Sequence, residues 1–113
     1  MAINQYKFYG VNLATTDQTT ILTPSAASAG AVETYIIKSL RVTNNTGNTP
    51  TITLTNNAFN IVKTQTLSAN ASVEILTLPL IIESNTSLKA TMSSSDSVTI
   101  AISYLNIREE VTT

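Results

Sequence analysis

The residues best suited to acid–base chemistry in this sequence are seven carboxylates: Asp17, Glu33, Glu74, Glu83, Asp96, Glu109 and Glu110. A glycosidase needs two of them held about 5–10 Å apart, and nothing in their spacing pairs any two. The chain has no His and no Cys. It therefore lacks the usual neutral-pH base, the commonest zinc ligand and the thiolate nucleophile, and a Ser-His-Asp or Cys-His machine cannot be assembled. Ser93-Ser94-Ser95-Asp96-Ser97 and Asp17 carry oxygen ligands of the kind calcium uses, but each Asp stands alone where calcium sites gather several carboxylates. The expectation is a non-enzymatic chain with no cofactor and no metal.

Tyr6, Phe8 and Tyr9 form the one aromatic cluster, with Tyr35, Phe59 and Tyr104 elsewhere and no Trp. Aromatic side chains anchor interfaces and stack on sugars, and they also fill cores. The triplets Asn44-Asn45-Thr46, Asn70-Ala71-Ser72 and Asn85-Thr86-Ser87 match the glycosylation pattern. Triplets of this kind arise by chance in a chain so rich in Asn, Ser and Thr.

Composition narrows the partners. Six basic and seven acidic residues give a net charge of −1, and Lys7, Lys38, Arg41, Lys63, Lys89 and Arg108 are scattered. Binding to a phosphate backbone calls for a basic stripe, so no direct nucleic-acid partner is expected. Charged residues are 12% of the chain, against roughly a quarter in ordinary domains. Such a surface has little repulsion to hold copies apart, which favours assembly. The N-terminal residues lack a basic region followed by an apolar stretch, and the apolar run Ile75–Ile82 is broken by Thr77 and Pro79. The expected setting is the cytoplasm, with no membrane partner.

The elements that must position these groups read as strands. Ser97–Ile107 alternates with period two, placing Val98, Ile100, Ile102 and Tyr104 on one dry face. Tyr6–Leu13 reads as a first strand with Gly10 as a bend or bulge, and Thr19–Thr23 as a second closed by Pro24. Val32–Thr43 is the longest candidate, with Ile36, Leu40 and Val42 on one face and Tyr35, Ile37 and Arg41 on the other. The turn Asn44–Asn48 leads into Thr51–Thr55, so these two runs read as a hairpin. Phe59–Leu67, Ser72–Leu78, Leu78–Ile82 and the Leu88, Ala90, Met92 run follow, with Pro79 demanding an edge or a bulge. Twenty threonines oppose helix and suit pleated surfaces. The pattern predicts one domain over 1–113: an all-β sandwich, jelly-roll or Ig-like, of about eight antiparallel strands. Its termini, about 1–5 and 108–113, are expected to serve as assembly arms.

The layout resembles small structural proteins of tailed bacteriophages. The matching pieces are Tyr9-Gly10-Val11-Asn12-Leu13, Thr20-Ile21-Leu22-Thr23-Pro24, Ile37 to Asn44, Leu67-Ser68-Ala69, Leu78 to Glu83 and the Val98 to Ile107 strand. Where that group often carries Gly and Asp before its penultimate strand, this chain has Ser84-Asn85-Thr86. The resemblance implies a virion protein that cements or decorates the capsid, or serves the neck or tail. Its partners would be other virion subunits and copies of itself, with Tyr6, Phe8, Tyr9, Leu105, Ile107 and Val111 making the contacts. A receptor- or carbohydrate-binding module of a tail fibre is the alternative.

Overall fold

The structure, a computed structural model, describes residues 2–24 and 31–110, and among these every regular element is a strand. There are nine: β1 (Ala2–Leu13), β2 (Thr19–Leu22), β3 (Ala31–Asn44), β4 (Thr51–Asn56), β5 (Phe59–Thr66), β6 (Ser72–Glu74), β7 (Leu80–Ile82), β8 (Leu88–Met92) and β9 (Val98–Glu110). One sheet runs β1-β9-β3, with β6 and β7 both pairing β3; the other runs β2-β8-β4-β5. Every pairing is antiparallel.

β6 and β7 lie on one edge, against Arg41–Thr43 and Tyr35–Ile37 of β3, and together form a single interrupted strand. That leaves eight strand positions, four to a sheet. The pairs nest as β1 with β9, β2 with β8, β3 with β6 and β7, and β4 with β5, a long hairpin rolled on itself. This is the jelly-roll arrangement, not the Ig-like one. Pro79 directly precedes β7 on this edge, where its missing N–H costs no ladder bond.

The core fills the space between the sheets. Leu40 and Val42 of β3, Ile52 and Leu54 of β4, Leu88 and Ala90 of β8, and Val98, Ile100 and Ile102 of β9 are all buried. The bulge between Thr20 and Leu22 lets the neighbours Ile21 and Leu22 both enter this core. The molecule is elongated, 53 × 23 × 20 Å, because β1, β9 and β3 far outrun the short strands opposite.

Three expectations require correction. The strict alternation read across Val32–Thr43 fails at Lys38, where β3 carries one extra residue against β9: Ile37 opposes Tyr104 but Ser39 opposes Ser103. The phase inverts there, so Tyr35 and Ile37 share the inner face with Leu40 and Val42, and Ile36 points outward with Arg41. The runs ending and beginning around Asn44–Thr51 do not form a hairpin, since β3 and β4 lie in different sheets. Asn44 makes that corner: its amide donates to the carbonyls of Asn48, Leu67 and Ser68, while Oδ1 accepts from the N–H and hydroxyl of Thr46. Gly10 is neither bend nor bulge, as β1 pairs β9 without a register shift from Ala2 to Leu13.

Candidate functional site

Directly opposed residues of antiparallel strands share a face, so the register assigns the outer face of the β1-β9-β3 sheet row by row. Towards the Leu13 end it is polar. Thr99 donates to Asn12 Oδ1 at 2.7 Å and accepts from Asn45 Nδ2 at 3.0 Å, and the Thr43 and Ser72 hydroxyls lie 2.7 Å apart. Further along, one row is apolar. Tyr6, Leu105, Ile36 and Ile81 stand abreast on β1, β9, β3 and β7. Phe8 flanks this row on one side, beside Ser103 and Ser39, and Ile107 on the other, beside Asn4 and Thr34.

Among the described residues no second sheet covers this band. Tyr6 is 80% exposed, Phe8 69% and Ile81 53%, with Leu105, Ile107 and Ile36 half-buried by their neighbours. A Cβ added to Gly10 would meet the Phe8 ring at 3.3 Å. The ring thus lies over the glycine on the outer face, which explains the small residue at that position. Lone exposed apolar residues are ordinary, whereas large contiguous apolar patches are a common feature of contact surfaces.

Of the residues singled out in the sequence, the fold brings Tyr6, Phe8, Leu105 and Ile107 together on this face. Tyr9 is placed elsewhere: it lies opposite Ile102 on the inner face, half-buried against the core. Val111 lies outside the described residues. The described parts of the expected arms are strand ends, with Ala2 paired to Glu109 and Glu109 to Val32. The sequence does not single out Ile36 and Ile81: the phase inversion at Lys38 hides the first, and the edge position of the second emerges only from the topology.

The inner face beyond the sandwich is built differently. The Tyr35 and Tyr104 rings pack at 4.7 Å between centroids, tilted by 49°, and next to them Asn106, 3% exposed, donates to Glu33 Oε2 at 2.8 Å. Burial, reinforced by the Glu33 charge, pushes the Tyr35 hydroxyl up to about 12. Burial likewise raises Tyr104. Both phenols stay neutral and serve as packing.

The carboxylates are dispersed. Among the described residues no three of His, Cys, Asp and Glu come together as a metal site would require. Asp96 accepts from the Ser94 hydroxyl at 2.6 Å and Asn48 Nδ2 at 2.9 Å, which hold its carboxyl below the usual range and tie the β8–β9 loop to the Asn44 corner. Asn44 itself is buried, so the first glycosylation triplet is closed to modification. A recess at the β4–β5 tip, which shares Ile81 with the outer-face row, is lined by Asn56, Asn57, Phe59, Ile81, Glu83 and Thr86, with Phe59 78% exposed.

No family model and no curated protein sequence matches this chain. Among solved structures, the nucleoplasmin-like N-terminal domain of Drosophila FKBP39 is similar at a TM-score of 0.54 and 15% identity, covering 96% of this chain and 93% of that one. The virus-like particle of the extra small virus of the giant freshwater prawn Macrobrachium rosenbergii gives a TM-score of 0.46 and 14% identity, over 96% of this chain and 81% of that one. The first of these likenesses identifies the fold as one shared with a nucleoplasmin-like β domain.

Proposed function

We propose that this chain is a non-enzymatic structural subunit of a virion, made in the host cytoplasm and built into the particle as a capsid cement or decoration protein or a neck or tail accessory. The observation that carries this reading is the outer-face row Tyr6–Leu105–Ile36–Ile81 with Phe8 and Ile107 beside it. Full burial of a large apolar side chain is worth about 1.5–3 kcal/mol, so a few such residues per copy make a modest contact that repetition around a particle multiplies. A net charge of −1 adds little repulsion between copies. The phage resemblance and the use of jelly rolls in viral shells agree with this role as fold-level analogies. Sedimentation velocity of the purified chain, alone and with virion shells, is the test. Association that Ile81→Lys weakens supports the role; a monomer at every concentration that ignores the shells contradicts it.

A second reading rests on the recess at the β4–β5 tip, where exposed Phe59 stands beside Asn56, Asn57, Glu83 and Thr86. An aromatic over amides and a carboxylate suits sugar stacking, and jelly rolls also occur in lectins. This would make the chain a carbohydrate- or receptor-binding module of a tail fibre. Glycan binding abolished by Phe59→Ala supports it, and a blank glycan array removes it.

A further inference from the structure

A sheet edge presents unpaired N–H and C=O groups, and folded proteins blunt such edges with short strands, bulges, charges or breaks. Three of the four edges here are blunted. β2 is four residues long and bulged. β5 carries two register shifts, Thr64 at φ 50° and Lys63. β6 and β7 are three residues each, with a break between them. β1 is the exception: twelve residues, paired to β9 in unbroken register, with Lys7 as the one charged side chain. Among the described residues no strand pairs with its other side.

We infer that β1 is a docking edge for a second copy of this chain, the two β1 strands pairing antiparallel about a two-fold axis at Phe8 to form one sheet across both copies. This deepens the assembly reading and rests on it. A second copy is the fitting occupant because β1 is complementary to itself about Phe8 and a net charge of −1 leaves little repulsion between copies. An axis normal to the sheet keeps both outer faces on one side and pairs residues whose numbers have a constant even sum. With Phe8 at the axis, Tyr6 faces Gly10 of the second copy, Lys7 faces Tyr9, Gln5 faces Val11 and Asn4 faces Asn12. Moving the axis to Lys7 would set two ammonium groups directly opposite, which is unfavourable. At Phe8 each Lys7 instead meets a tyrosine ring, a pairing that favours a cation. The Tyr6 and Phe8 side chains of both copies then merge into one band on the shared outer face.

The chain has no cysteine, so single spin labels at Asn4→Cys and Asn12→Cys can be read without background by pulsed electron resonance on the full chain. With a rise of about 3.3 Å per residue, the eight-residue offset gives two equal separations of roughly 27 Å between copies. Moving the axis by one residue would make them differ by about 13 Å. Equal separations, together with at least tenfold weaker dimerisation in Phe8→Lys, are expected. Unequal separations, or none at concentrations where the chain associates, would overturn the inference. Ile81→Lys, on the far edge of the outer face, separates this from the broader reading. If Ile81→Lys disperses larger assemblies while no label pair appears, the edge inference fails alone. If the label pairs persist while Ile81→Lys has no effect, the outer-face reading fails and the edge dimer stands.

Discussion

Glu74 Oε2 accepts the Leu40 backbone N–H at 2.7 Å, and the other carboxylate oxygen accepts the Ser39 hydroxyl. The extra residue Lys38 throws this stretch of β3 out of step, and a side chain from β6 ties it to the edge strand. Oε2 also takes the Leu76 N–H at 3.3 Å, while Ile75 N–H bonds Leu40 O at 2.8 Å. The break in the edge strand and the bulge beside it are thus one device.

Glu74→Ala is expected to cost about 1–2 kcal/mol in denaturant unfolding, the modest figure reflecting a largely exposed carboxylate. Burial alone would raise this carboxyl, but the bonds from Ser39, Leu40 and Leu76 and the Arg41 charge outweigh it and hold it below the usual glutamate range. A depressed acid stabilises the fold fully above its unfolded value and loses that contribution as pH falls through the folded one. Thermal melts from about pH 6 to pH 3 should fall more steeply for the wild type than for Glu74→Gln. Parallel curves would refute the assignment.

Deleting Lys38 would restore simple alternation and turn Tyr35 and Ile37 to the outer face, exposing apolar surface along half of β3. Unfolding or aggregation on expression is expected, while the exposed side chain itself is dispensable and Lys38→Ala should stay within about 0.5 kcal/mol of wild type. A stable, soluble deletion variant would show that the bulge does not set the phase.

Asn44 satisfies three carbonyls and two donors from a buried position at the β3–β4 corner. Asn44→Ala leaves those groups unpaired and should cost about 3 kcal/mol or more. Asn44→Asp keeps the size but loses the donors, and should melt lower than Asn44→Ala at neutral pH. A melting temperature within a degree or two of wild type, about 0.5 kcal/mol for a domain of this size, would contradict this role.

How far the residues announce the fold follows from what each signal encodes. Alternation over Val98–Tyr104 reveals the dry face because β9 runs without interruption. The same logic misassigns Tyr35 and Ile37, because a single extra residue inverts phase and leaves no compositional trace. Asn44 looks like a turn residue chosen for backbone freedom, yet it acts through its amide; among the described residues the non-glycine positive-φ positions are Asn57, Thr64, Asn70 and Asn85. The apolar row of the outer face is half legible. Tyr6, Phe8, Leu105 and Ile107 stand out as unspent apolar residues near the ends, whereas Ile36 and Ile81 join them only through register and topology. Tyr9 illustrates the converse, since adjacent aromatics on a strand point to opposite faces.

The exposed row makes a further claim about stability. Tyr6→Lys and Ile81→Lys lie on solvated surface, so each should change unfolding free energy by less than about 0.5 kcal/mol while reducing association. Loss of stability beyond that would mean the row is part of the subunit's own packing.

A density map of particles from the source of this chain measures the central claim most directly, by locating the subunit and what touches it. The expected result is a jelly roll at a subunit junction with Tyr6, Leu105, Ile36 and Ile81 buried against a neighbour. A particle without this chain, or one in which that row faces solvent in every copy, would contradict it.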